Sequence, residues 1–237
     1  MFHKSAAFYD AIYRDRKDYA AEARRLDYLL GKRVPRPTRL LDVGCGTGEH
    51  ALQLVKLRPY DVDGIDIEAE FIRLARTKLP RSRFELADMR DFQLNRCYDA
   101  LLCLFSSIGY VETLEGLQAT AHCFRKHLNA GGWVVCEPWI SPEEWREGQI
   151  DVTAARDPDS GAQIVRSRQG ETDGRVSVLQ IDYEVELAER TVNLHETHRL
   201  GLFTSMEIET AFANAGFRCL WAETGLQLNR LLVATAV

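Results

Sequence analysis

Apolar strand-like runs that alternate with amphipathic helical runs predict an α/β fold, a mostly parallel sheet with helices on both faces. A glycine-rich turn between the first such strand and the helix after it marks a ligand-binding crevice at the strands' C-terminal ends. Beyond residue 140 the rhythm changes to β-rich runs with no helix between them, which predicts an added antiparallel β cap. A chain of 237 residues, 46% hydrophobic, is long enough for one large domain carrying such a cap.

The elements follow in order. Residues 8–30 place Tyr9, Ile12, Tyr13, Tyr19, Leu26, Leu29 and Leu30 at helical spacing. Gly31 is a C-cap candidate, and Pro35 and Pro37 end the segment, so residues 1–37 read as a helical lid before the core. Residues 38–140 read as the core, with strands at 39–43, 61–66, 82–87, 98–104 and 132–137 and helices at 49–57, 68–78 and 113–127. Residues 141–203 read as the cap, with β runs at 162–168, 175–187 and 191–203 and a hairpin signal at Asp173-Gly174. Residues 204–237 return to the core sheet. Thr204-Ser205-Met206-Glu207 matches a capping box and opens a helix to Asn214; strands at 217–222 and 228–234 follow.

Composition removes several function classes. The net charge is −5, and the small basic cluster Arg14, Arg16 and Lys17 is interleaved with Asp15 and Asp18, so no basic face for nucleic acid is visible. No apolar run is long enough to span a membrane, and Met1-Phe2-His3-Lys4-Ser5 lacks the apolar core of a signal peptide. The six cysteines (Cys45, Cys97, Cys103, Cys123, Cys136, Cys219) form no C-x-x-C pair and read as small core residues of a cytoplasmic protein. The six histidines show no metal-ligand spacing, so no metal is expected.

Leu40-Leu41-Asp42-Val43 runs into Gly44-Cys45-Gly46-Thr47-Gly48, and a helical pattern follows from Glu49. The glycines let a ligand lie almost on the backbone, where a Cβ would collide. The spacing is one residue shorter than the G-x-G-x-x-G of pyrophosphate-binding loops, which disfavours a dehydrogenase. Asp66, at the end of the second strand, stands where α/β folds hold a ribose. Asp88 and Met89 end the third. His50, beside the loop, reads as a structural residue of the helix N-terminus rather than a base.

The glycine loop resembles that of S-adenosylmethionine-dependent methyltransferases, whose cofactor has no phosphate. Tyr9-Asp10, Lys17-Asp18-Tyr19, Asp88-Met89-Arg90-Asp91-Phe92, Phe105-Ser106-Ser107-Ile108-Gly109, Glu137-Pro138-Trp139 with Pro142-Glu143, and His198-Arg199 with Leu202-Phe203-Thr204 extend the likeness. Together they resemble bacterial N,N-dimethyltransferases of dTDP-linked amino-deoxysugars nearly end to end. The resemblance implies a class I, Rossmann-like methyltransferase core with an antiparallel cap, S-adenosyl-L-methionine as cofactor, a dTDP-amino-deoxysugar as substrate, and a homodimer. It implies Tyr19 at the methionyl carboxylate, and Gly44, Cys45, Gly46, Asp66, Ile67, Asp88, Met89 and Phe105 around the cofactor. Trp139, Trp145, Arg166, His198 and Arg230 fall on the substrate side, with Arg230 the first candidate for the diphosphate and Arg166, Arg168 and Arg199 behind it. Where the family often has histidine after Phe-Ser-Ser-Ile-Gly, this chain has Tyr110, a poor base at neutral pH with an ordinary pKa of about 10. Tyr9, Tyr13 and Tyr110 are therefore the expected catalytic set: Tyr9 or Tyr13, with Tyr110, would orient the amine and help route its proton to solvent. The amine's position on the sugar (C3 or C4), the number of methyl groups and the identity of any base stay open. So do two other functions, methylation of another small amine or hydroxyl and cofactor binding without turnover.

Overall fold

The computed structural model describes residues 5–14, 16–222, 225–226 and 230–237. Apolar strands that each lead into a helix pair in parallel. These are β1 (Arg39–Val43), β2 (Asp61–Asp66), β3 (Phe84–Leu86), β4 (Tyr98–Cys103) and β5 (Leu128–Cys136). With β10 (Phe217–Trp221) and β11 (Leu232–Ala236) they form one sheet in the order β3-β2-β1-β4-β5-β11-β10, in which β11 runs antiparallel to both neighbours. The order reverses between β1 and β4, which opens a crevice at their C-terminal ends. Helices α2 (Tyr19–Leu30), α3 (Glu49–Leu57) and α4 (Ala69–Lys78) bury Leu26, Leu30, Leu54 and Ile72 on one face. Helices α5 (Leu114–Lys126) and α6 (Ser205–Asn214) bury Leu117, Phe124 and Phe212 on the other. The expected strand at 82–87 is shorter, that at 132–137 begins earlier, and the final strand starts at Leu232; Leu228 lies outside the described residues.

Two expectations are corrected. The N-terminal segment is not one helix: α1 (Tyr9–Arg14) ends, and α2 starts afresh with Asp18 as N-cap, its carboxylate accepting the Ala21 amide at 2.8 Å. Lys17, between them, is buried. The cap has four strands rather than three: β6 (Ile150–Arg156), β7 (Gln163–Asp173), β8 (Val176–Glu186) and β9 (Thr191–Gly201), paired antiparallel in sequence order. The edge strand β6 was missed because Ile150 and Val152 face solvent, 68% and 62% exposed, and small or polar residues fill the rest of it. The hairpin turn is Gly174-Arg175, with Gly174 at φ +60°, the first central position where a two-residue turn favours glycine. The inner face of the cap packs Ile164, Leu179, Ile181 and Tyr183 against Tyr9, Ile12, Tyr13 and Phe71. The crevice is thereby roofed. Among the described residues no helix is long and apolar enough to cross a membrane.

The capping box at α6 is formed: Thr204 Oγ1 accepts the Glu207 amide at 3.2 Å, and the Glu207 carboxylate accepts the Thr204 amide at 2.9 Å. Thr204→Ala should lower stability by about 1 kcal/mol in urea denaturation without changing the slope of the transition.

Candidate active site

The glycine loop lies at the reversal point of the sheet. A Cβ on Gly44 would stand 2.7 Å from the Ser107 side chain, so this glycine allows two protein segments to meet. Gly46 differs. At φ +53° its Cβ direction meets no protein atom within 4 Å, because it opens into a cavity of about 770 Å³. The Asp66 carboxylate fixes the loop, accepting the Gly46 amide on Oδ2 at 2.8 Å and the Glu68 amide on Oδ1 at 2.9 Å. Each oxygen retains acceptor capacity toward the cavity. Burial pushes Asp66 up to about 6. On the next strand end, Arg90 chelates the Asp88 carboxylate and holds it below the usual range, so it stays ionised and acceptor-only. Ile67 and Met89 complete this wall, and burial keeps the Cys45 thiol protonated.

Behind the loop sits a buried charge cluster that spacing alone did not reveal. Glu22 Oε2 meets the Lys17 ammonium at 3.1 Å and His50 Nε2 at 2.6 Å, all three groups being buried. Burial opposes ionisation of Glu22, but the bonds from His50 and Lys17 outweigh it and hold its carboxyl below the usual range. Asp42 lies in the same field. Burial pushes it up to about 6, and its Oδ2 has no hydrogen-bond partner. Lys17 Nζ is 3.7 Å from the Phe105 ring centre and 5.2 Å from that of Tyr19, and the Tyr19 ring packs edge-on against His50.

Phe105 and Ser106 follow β4 with φ of +49° and +65°, two successive left-handed residues that bear side chains. Such residues cost about 1–3 kcal/mol each and persist where the surroundings over-determine them. Glu137 does so: its carboxylate accepts the Phe105 amide at 2.8 Å, and its carbonyl accepts the Ser106 amide at 3.1 Å. The result aims Phe105 at Tyr13, edge to face at 5.3 Å, and Tyr13 stacks on Tyr9 at 4.5 Å. On the far side of the same loop, Tyr110 Oη lies 2.8 Å from His198 Nδ1.

The cap supplies the opposite charge. Arg166 and Arg168, two residues apart on β7, both line the cavity, and Arg16 joins them from the segment after α1. Asp151 is near Arg16 at 3.4 Å and Arg166 at 3.5 Å, while the buried Arg166 Nε has no partner. Trp139 lines the cavity and donates its indole N–H to Ser177. Trp145 packs behind it, outside the cavity lining, with its N–H on Thr172. Arg230 is also outside the lining, exposed and over the Trp221 ring; the arginines that line the cavity are Arg16, Arg90, Arg166 and Arg168. Arg199 is held by Glu112 and Asp173. The expected residues Tyr9, Tyr13, Tyr19, Gly44, Cys45, Gly46, Asp66, Ile67, Asp88, Met89, Phe105, Tyr110, Trp139, Arg166 and His198 share one cavity. The lid is latched to the glycine loop: Asp10 accepts Thr47 Oγ1 at 2.5 Å, and Lys78 bridges Asp10, Thr47 and Glu49.

Residues 40–132 match the methyltransferase domain family. The chain is 36% identical over 222 residues to a dTDP-3-amino-3,4,6-trideoxy-alpha-D-glucopyranose N,N-dimethyltransferase of Streptomyces venezuelae, covering 93% of this chain and 92% of the relative. It is 32% identical over 215 residues to a dTDP-4-amino-2,3,4,6-tetradeoxy-D-glucose N,N-dimethyltransferase of Saccharopolyspora spinosa, covering 90% and 85%. Among solved structures it superposes with a TM-score of 0.86 on S-adenosylmethionine-bound CalS10, an amino pentose methyltransferase from Micromonospora echinaspora. That pair is 33% identical over 97% of this chain and 96% of the other.

The raised Asp42 carboxyl makes a prediction about stability. A carboxyl raised in the folded state favours folding below its unfolded value and loses that advantage as pH rises through about 6. Asp42→Asn should therefore raise the Tm of the ligand-free protein at pH 8 and leave it nearly unchanged at pH 4, as read by calorimetry.

Proposed function

The chain belongs to the family of S-adenosylmethionine-dependent amino-sugar N,N-dimethyltransferases, and from that premise we propose that it dimethylates the amino group of a dTDP-linked amino-deoxysugar. The observation that carries this reading is the polarity of this cavity. Glu49, Asp66, Asp88 and Glu137 outnumber the paired Lys17 and Arg90 at the glycine-loop end, and Arg16, Arg166 and Arg168 line the cap end. A cationic sulfonium suits the first and a diphosphate the second.

S-adenosyl-L-methionine is the cofactor, and its sulfonium supplies an activated methyl group. The open Gly46 cradle, Asp66 at the ribose, Asp88 at the adenine amine, and Tyr19 with Lys17 at the methionyl carboxylate would hold it. An amine is a competent nucleophile once neutral, so alignment is the protein's main task and can supply about 7–11 kcal/mol. Tyr9, Tyr13 and Tyr110 orient the nitrogen. Arg166 and Arg168 fork onto the diphosphate. Trp139 borders the sugar. The roof made by α1 and the cap excludes water, which keeps the amine unprotonated.

We also propose a homodimer through the outer face of the cap, where Ile150, Val152 and Val165 form an exposed apolar strip beside the edge strand. Light scattering should give twice the 27.0 kDa chain mass, and Val152→Asp should give the chain mass.

The deciding experiment is mass spectrometry of dTDP-3-amino and dTDP-4-amino deoxysugars incubated with the protein and S-adenosylmethionine. A gain of two methyl masses on a panel member is expected and identifies the carbon; no gain on any member overturns the sugar reading. Arg166→Ala should raise KM for the sugar nucleotide tenfold or more, since a hydrogen bond to a charged group is worth about 1.5–3 kcal/mol, with a smaller change in kcat.

A further inference from the structure

The contact between Tyr110 and His198 extends deeper into the cap. His198 Nε2 lies 3.4 Å from Glu196 Oε2, two residues earlier on the same face of β9. That carboxylate also accepts the Ser5 amide at 2.9 Å and the Ser5 hydroxyl at 2.8 Å. His198, Glu196 and Ser5 are all buried; Tyr110 and His198 line the cavity, and Glu196 and Ser5 lie behind them.

With Glu196 ionised, one set of hydrogen positions follows. A carboxylate can only accept, so His198 must carry its proton on Nε2. Nδ1 is then a lone pair, and the Tyr110 hydroxyl donates to it. The tyrosine oxygen is left with acceptor capacity facing the cavity. We propose that Tyr110, His198 and Glu196 form a proton relay that collects the proton released when the substrate amine is methylated. The proposal rests on the N-methyltransferase reading but not on which sugar is used.

The step balances. The nitrogen lone pair forms the N–C bond as the methyl–sulfur bond breaks, and its electrons return to sulfur as a neutral thioether. The resulting ammonium passes one proton to the Tyr110 oxygen as the Tyr110 hydroxyl proton passes to His198 Nδ1. The product is a neutral methylated amine and an imidazolium held by the Glu196 carboxylate. Once products leave, the imidazolium returns its proton by the same path to water in the cavity.

The surroundings set the starting protonation state. Burial pushes the imidazole below its ordinary value while Glu196 pulls the other way, so it is neutral at the start. Burial keeps the Tyr110 phenol protonated. Among the described residues, the other titratable groups facing the relay are Arg166 on β7, which disfavours an imidazolium, and Tyr183 on β8, Tyr13 on α1 and Asp66 at the end of β2, all of which raise Tyr110.

The test has two arms. In the first, nitrogen NMR of the ligand-free protein with ¹⁵N-labelled histidine, assigned through His198→Asn, reads the tautomer and its titration. The Nε2–H form is expected at pH 8, with an imidazole pKa that falls further in Glu196→Gln. An Nδ1–H form, or a titration indifferent to Glu196, overturns the relay. In the second, kcat is followed against pH with the best methyl acceptor of the panel. His198→Asn and Tyr110→Phe should each lower kcat by about 10²-fold near neutral pH, regain activity as pH rises, and leave S-adenosylmethionine affinity by calorimetry unchanged. Parallel pH profiles for variant and wild type would reduce His198 to a structural residue. If no sugar is turned over, the choice of acceptor fails while the tautomer measurement still judges the relay.

Discussion

One carboxylate, that of Glu22, holds the N-terminal segment onto the sheet. It sits on α2, receives the Lys17 ammonium from the preceding break and meets His50 from α3 beside the glycine loop. Removing one partner of such a buried pair leaves a bare charge out of water, at a typical cost of about 3–5 kcal/mol. The pair sits at the break between α1, which ends at Arg14, and α2, which starts at Tyr19. A continuous helix would carry Lys17 away from Glu22. The break turns α1 toward the cap, where Tyr9 and Tyr13 meet Phe71 and Phe105, and so builds the aromatic ceiling of the cavity.

The other half of the site depends on Glu137 in a comparable way. Its carboxylate and carbonyl hold Phe105 and Ser106 in conformations that neither would choose alone. The turn that follows carries Ser107 under the glycine loop and Tyr110 out to the cap. Strain in the main chain is thus placed between the cofactor wall and the acceptor wall, where a shift of either would be felt by the other.

Much of this was legible in the residues. The glycine loop, the acids ending β2 and β3, and the capping box at Thr204 are local signals, and the structure places each on the element expected. Local signals also misled. The stripe of Tyr9, Ile12, Tyr13 and Tyr19 continues across the break, so hydrophobic period alone joins two helices; the Asp18 N-cap was the signal against it. Arg230 resembled a phosphate ligand by position, yet its guanidinium lies over Trp221, and the cap arginines that line the cavity are Arg166 and Arg168 of β7. The Lys17–Glu22–His50 cluster joins residues on three elements, which no spacing rule brings together. The Glu196–His198 pair was readable in principle, since residues two apart share one face of a strand.

The chemistry of Tyr110 also sets a count. In the proposed relay its hydrogen goes to His198, 2.8 Å away, which leaves its oxygen as an acceptor. A neutral primary amine offers it two N–H groups in turn, and a secondary amine offers one. A tertiary amine has none to offer and no proton to give up after a further transfer. The contact that orients each acceptor thus consumes the feature it recognises, and the enzyme needs no separate gauge of bulk to stop at the dimethylamine.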